Sequence, residues 1–182
     1  MKKYLKRLSK IQMLIILIAV LGIGFFYFYS TESFPFQKAN VVVKEEKTEE
    51  GKSVLQIQDA TSEQAAEEFP LTMQESEVMS AIHKMSHQKV TATKKWGAIP
   101  LTPQRVERLL QVITKNKTKY ENSKLYLNIL NRWAKEDFSQ ADDEHNAIWN
   151  LQGGTVGKAT GLASTGEERE FIEENFNIKI EK

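Results

Sequence analysis

The chain has 182 residues, no cysteine, and 25 Lys or Arg against 24 Asp or Glu, a formal net charge of +1. That length suits one domain with accessory segments. The missing cysteine excludes a disulfide framework and any thiolate metal site or nucleophile, and the near-neutral charge argues against a nucleic-acid binder.

The charge is unevenly placed. Residues 1–10 carry Lys2, Lys3, Lys6, Arg7 and Lys10. Ile11 to Tyr29 then contains no charge, and Gln12 is its only strongly polar side chain. Nineteen residues at about 1.5 Å rise reach roughly 28 Å, close to a bilayer core of about 30 Å. The basic flank predicts an N-in, single-pass orientation, and Phe25 to Tyr29 suit an outer aromatic belt. A cleaved signal peptide fits less well: bulky aromatics fill the end of the run, and Thr31-Glu32-Ser33 is a marginal cleavage site. The expectation is a membrane-anchored protein with its C-terminal domain outside the cell.

Residues 30–68 read as an acidic, flexible linker. "KEEKTEEGK" (Lys44–Lys52) has no apolar side chain and cannot offset its own ordering entropy. "VLQIQ" (Val54–Gln58) alternates like a short strand, but no partner is evident, so it stays with the linker.

From Phe69 the pattern becomes helical. "LTMQE" offers Thr72 as an N-cap with Glu75 three residues on, followed by Val78, Ile82 and Met85 at helical spacing. "PLTPQRVERLL" places Thr102 at an N-cap and Pro103 at the first helical position. Its apolar face is Val106, Leu109, Leu110 and Ile113. A third helix spans about 122–135 with Leu125, Tyr126, Ile129, Leu130 and Trp133. A fourth starts near Ser139 and turns Ala141, His145, Ile148 and Trp149 inward, with Gly153 at its C-terminal stop. A fifth begins at Ser164, with Glu167 three on, and carries Phe171 and Ile172. "FNIKI" (Phe176–Ile180) alternates weakly. The predicted fold class is all-α: an N-terminal transmembrane helix, a disordered acidic tether, and a compact bundle of about five short helices over 69–182.

The stretch "LQGGTVGKATG" (Leu151–Gly161) resembles a phosphate-binding loop at first sight. Such a loop needs glycine where Gln152 stands, Ser or Thr where Ala159 stands, and a strand before it rather than a helix. No nucleotide is expected. A glycine turn ending the fourth helix accounts for it, with φ > 0 and close backbone approach as the reasons for glycine.

His83 and His87 share one helical face at i, i+4, and His145 is the only other histidine. That spacing can share a metal, with His145 as third ligand. Zinc peptidases carry Glu directly after the first His, where this chain has Lys84. The simpler expectation is no metal and no cofactor: His87 hydrogen-bonds near a helix end and His83 lies at the surface. The acids of "EDFSQADDEH" sit in a first helical turn, where they complement the macrodipole.

Residues 84–119 hold nine Lys or Arg and one Glu, while 136–182 hold eleven acids and four bases. A basic face could meet anionic lipid or an anionic wall polymer; solvated surface, partly paired within the fold, is the simpler and favoured reading. Trp96, before Gly97 in a loop, could anchor a partner or tuck over the bundle. The candidate contacts are His87, Lys89, Lys94, Lys95, Trp96 and Gly97, with Gly153, Gly154, Gly157 and Lys158 of the glycine turn.

"MSHQKVTATKKWG" (Met85–Gly97) and "YLNILNRWAKEDFSQADDEHNAIWNLQGGTVGKATG" (Tyr126–Gly161) resemble an uncharacterised family, a domain of unknown function in small membrane-anchored proteins of Bacillus-type Gram-positive bacteria. The resemblance covers roughly Phe69 to Phe176. It implies a Gram-positive envelope location and carries no catalytic role. The expected function is therefore non-enzymatic binding of an envelope protein or anionic polymer. A metal-dependent envelope hydrolase using His83, His87 and His145 is the alternative.

Overall fold

The computed structural model describes residues 42–47, 53–176 and 178. The expected span at 11–29 lies outside them, and no helix among the described residues is long and apolar enough to cross a membrane. Among the described residues, six α-helices and four short strands follow in chain order: β1 (Val42–Lys47), β2 (Ser53–Gln58), α1 (Ser62–Glu68), α2 (Glu75–Ser86), a 3-10 turn (His87–Lys89), β3 (Val90–Ala92), α3 (Pro103–Asn116), α4 (Ser123–Trp133), α5 (Ala141–Leu151), β4 (Ala159–Leu162) and α6 (Thr165–Phe176). The fold is mostly helical rather than all-α, because two antiparallel strand pairs, β1–β2 and β3–β4, join the helices.

The helices form where capping and apolar periodicity agree. Thr102 accepts from the Arg105 amide at 3.3 Å, with Pro103 opening α3. Ser164 and Glu167 cap α6 reciprocally. Two expected caps shift. α2 starts at Glu75 behind Gln74, which boxes with Glu77, because Met73 instead closes a turn onto Pro70 O. α5 starts at Ala141 behind Gln140, without a side-chain cap, because Ser139 bonds Asp137.

The main core gathers Val78, Ile82 and Met85 of α2, Leu109, Val112 and Ile113 of α3, Tyr126, Ile129, Leu130 and Trp133 of α4, and Ile148 of α5. Each fully buried aliphatic side chain there contributes about 1.5–3 kcal/mol. A second, smaller core joins Leu55 and Ile57 of β2 to Ile172 of α6 and to Ile178.

That second core corrects the linker boundary. The "VLQIQ" alternation does find a partner: β1 pairs with it in register, Val43 opposite Ile57 and Glu45 opposite Leu55. Leu55 and Ile57 are buried against α6, so this strand behaves as a half-buried surface. Thr61 then caps α1 through a box with Gln64. Behind them, Arg105 reaches Asp59 through Nη1 and Glu68 through Nε, the latter at 2.9 Å. Residues expected to be linker are thus pinned to α3.

Candidate functional site

His83 lies one turn before the end of α2, and His87 opens the 3-10 turn that follows. The i, i+4 spacing stacks them on one face, as helical geometry requires. α5 packs against α2 and delivers His145 to the same place. The ring centroids are 4.8 Å apart for His83–His87, 4.6 Å for His83–His145 and 5.4 Å for His87–His145. One ligand nitrogen from each ring lies within 4.8 Å of the others. His87 and His145 are buried, and His83 is half-buried.

The hydrogen bonds determine which nitrogens are left over. His83 Nδ1 donates to Gln152 Oε1. His87 Nδ1 donates to Gly97 O at 2.7 Å. Ser86 Oγ sits 2.6 Å from His83 O and 2.9 Å from His145 Nδ1. Gly157 O lies 3.2 Å from His145 Nε2; a carbonyl only accepts, so this Nε2 carries the proton and, in the neutral ring, Nδ1 is the acceptor facing Ser86 Oγ. His83 and His87 keep their lone pair on Nε2, and His145 keeps its own on Nδ1.

The neutral His145 ring is thus held from both sides, Nε2–H donating to Gly157 O and Nδ1 facing the Ser86 hydroxyl at 2.9 Å. Burial opposes a second proton on the ring and pushes His145 down to about 4. It likewise pushes His87 down to about 3 and lowers His83. All three rings are neutral at neutral pH, the form that ligates metals.

Two loops frame the cluster. Residues 93–98 supply Gly97 O, with Gly97 at φ 74°. The glycine turn supplies Gln152 and Gly157 O. It begins with a paired-bond stop on α5: the Gly153 amide reaches Asn150 O at 3.0 Å and the Gly154 amide reaches Trp149 O at 2.9 Å. Gly153, at φ 66°, is the left-handed residue this stop requires. Gly154 lies flat on Trp149, since an added Cβ would sit 2.2 Å from the indole. The indole N–H then donates to Val156 O at 2.8 Å. Gly157, at φ 87°, lets the turn touch the other loop, where an added Cβ would be 2.5 Å from Lys94 O. Asn146 finally holds Ala159 through both its amide and its carbonyl at 2.8 and 3.0 Å.

Of the residues singled out from sequence, His87, Gly97, Gly153, Gly154 and Gly157 therefore meet around one cluster with His83 and His145. Lys94 and Lys158 are exposed beside it, and Trp96 is 65% exposed. Lys95 is half-buried, its ammonium 4.5 Å from the Phe171 ring centre. Lys89 departs from the expected basic face. It is 5% exposed and ion-paired with Glu168, with its ammonium 4.3 Å over the Phe138 ring; a residue turned inward cannot serve as an exposed contact. Trp133 is core, and Trp149 is half-buried under the turn. Ser86 and Gln152, the groups that orient two of the rings, carry no motif and appear only through tertiary contact.

A separate cavity of about 300 Å³ lies between β2, α3 and the end of α4, lined by Leu55, Leu110, Trp133, Glu136 and Phe138 among others. It shares no residue with the histidine cluster.

A family model described as a family of unknown function (DUF6241) matches residues 82–173, just over half the chain. No match was found among curated proteins or among solved structures. The chain belongs to that family, and the matched segment takes in all three histidines and both framing loops.

Proposed function

We propose that this chain, a member of a family whose function is unknown, is a metal-binding module that holds one divalent transition-metal ion on one ring nitrogen each of His83, His87 and His145, Nε2 in the first two. The observation that carries this is the convergence of three neutral rings, one ligand nitrogen from each within 4.8 Å of the others, with Nδ1–H of His83 and of His87 committed to Gln152 Oε1 and Gly97 O. Metal-bound histidines are held in that way, the second nitrogen fixing tautomer and ring plane. Three imidazoles suit zinc, cobalt, nickel or copper rather than calcium or magnesium. Bonds of about 2.0–2.1 Å in tetrahedral array need nitrogens about 3.3 Å apart, so from separations of up to 4.8 Å the rings tilt inward on binding.

The proposal is binding rather than hydrolysis. Glu144, next to His145 in sequence, is turned away to the Trp133 indole at 2.8 Å and the Arg132 guanidinium at 2.9 Å. No carboxylate occurs in residues 84–98 or 145–162, the segments that frame the cluster, so a general base is missing from them. With a span expected at 11–29, the site would be displayed at the outer face of a membrane. Trp96, exposed on the loop that orients His87, supports a second role for the same face in holding a protein partner.

Elemental analysis of the full chain, purified in detergent without tags or chelators, tests the proposal. One zinc-class ion per chain is expected, and His87→Ala should lower its affinity at least about 100-fold, the upper end of what loss of an orienting partner alone causes. A chain that neither carries such an ion nor takes one up would defeat it.

A further inference from the structure

The charge around the cluster carries a second step. Three neutral imidazoles leave a bound dication with its full charge, and structural sites that neutralise zinc do so with thiolates or carboxylates. This site has none of its own. Residues 84–98 and 145–162 contain Lys84, Lys89, Lys94, Lys95 and Lys158 and not one Asp or Glu. Lys89 is accounted for by Glu168, and Lys95 also feels Glu167 and Glu168. Lys94 and Lys158 are exposed, and they leave the two loops where those loops touch, at Lys94 O against Gly157. The backbone on which they stand is the same that holds His87 through Gly97 O and His145 beside Gly157 O.

Resting on the metal reading above, we propose that the fourth position of the ion binds an oxyanion of the phosphate class, with Lys94 and Lys158 as its flanking cations. Three protein ligands leave one tetrahedral position for an exogenous group. His83 and its partner Gln152 lie at the solvent edge, which opens that position to a ligand larger than water. Lysines act on phosphate as movable point charges, and a doubly charged anion neutralises the dication where a carboxylate would leave excess charge. The indole of Trp96, exposed and next in the chain to the Gly97 that holds His87, offers a face for whatever carries the phosphate. The phosphate chemistry is common to the free ion, a lipid headgroup and a polymer phosphodiester.

The test uses the full chain in neutral detergent, loaded with cobalt(II), whose visible absorption reports its coordination. Inorganic phosphate should shift the cobalt band saturably, acetate much less. Lys94→Gln with Lys158→Gln should keep one cobalt per chain and weaken phosphate binding about tenfold, as expected for two partly screened charges. Failure to bind cobalt would overturn the underlying metal reading. A stoichiometric cobalt site whose spectrum ignores millimolar phosphate would overturn the oxyanion alone. Equal phosphate binding by the metal-free chain, or by the double variant, would remove the ion or the lysines from the proposal. Vesicles carrying phosphatidylglycerol, competing with inorganic phosphate for the same cobalt shift, would assign the headgroup as source; no competition would assign the free ion or a polymer.

Discussion

Arg105 and the three histidines are both buried ionisable groups, but their surroundings differ. Arg105 is 1% exposed and meets two carboxylates, Asp59 and Glu68. Lys89 is treated likewise by Glu168. In each case the fold brings its own counter-charge, drawn from segments far away in sequence. The histidines are neutral, two of them buried and His83 half-buried, and the framing segments add only cations. The first arrangement is complete within the chain and ties parts of it together. On the metal reading proposed above, the second is completed from outside, by a cation at the ring nitrogens. A buried charge with its partners acts as a staple; under that reading the neutral cluster is a receptor.

The largest effect should come from breaking the staple. Arg105→Met strands Asp59 and Glu68 in a site that already raises Glu68 by burial, and uncompensated buried charge costs roughly 3–5 kcal/mol. Urea unfolding should show the loss, together with early release of α1 and the β1–β2 hairpin in hydrogen exchange. A variant of wild-type stability would mean that the pair is decorative.

Acid should act on the receptor instead. In the metal-free chain His87 and His145 have folded values of about 3 and about 4, against 6.5 for the free side chain. The unfolded chain protonates first, so their contribution is complete above about pH 6.5 and is lost as pH falls towards 4. Glu144 opposes this. Burial raises it to about 7, so its contribution is present below about pH 4.5 and fades as pH rises through 7. Two histidines outweigh one glutamate between pH 4.5 and 6.5, a net loss on the order of 1.4 kcal/mol per pH unit on acidification. Urea midpoints across that window measure it with chelator present; a midpoint that climbs on acidification contradicts the neutral cluster. Added zinc should steepen the dependence, because protons then compete with the ion.

Gly157→Ala places a methyl 2.5 Å from Lys94 O at φ 87°, and strain of this kind costs about 1–3 kcal/mol. It should also weaken metal binding, because Gly157 O stands against His145. Gly161→Ala meets nothing within 4 Å and serves as the comparison; equal effects from the two would show that the contact with residue 94 is unimportant. The smallest change is expected from Trp96→Ala, within about 0.5 kcal/mol of wild type on thermal unfolding. Its indole is 65% exposed and adds little to the fold. A large loss would mean that Trp96 is a lid after all.

How much of this was legible beforehand varies with distance along the chain. The i, i+4 pair of His83 and His87 and the inward side of His145 follow from helical periodicity. Their meeting does not, since it depends on α2 packing against α5 across about sixty residues. Gly153 as a helix stop is a local inference, whereas Gly154 and Gly157 needed the indole of Trp149 and the carbonyl of Lys94 in place. Lys89 and Arg105 look like surface cations in any local window, because nothing nearby announces Glu168, Asp59 or Glu68.

The sequence by itself determined the helices that carry strong local signals: Thr102–Pro103 opening α3, Ser164 with Glu167 opening α6, Gly153 closing α5, and the apolar faces between them. Capping and periodicity act within a turn or two, so a single chain window contains them. Only the tertiary structure decided that "VLQIQ" is a paired strand, that two basic residues are interior, and that three histidines meet in one cluster. Those depend on strand pairing, burial and charge compensation between distant segments, energies that exist only once the segments touch.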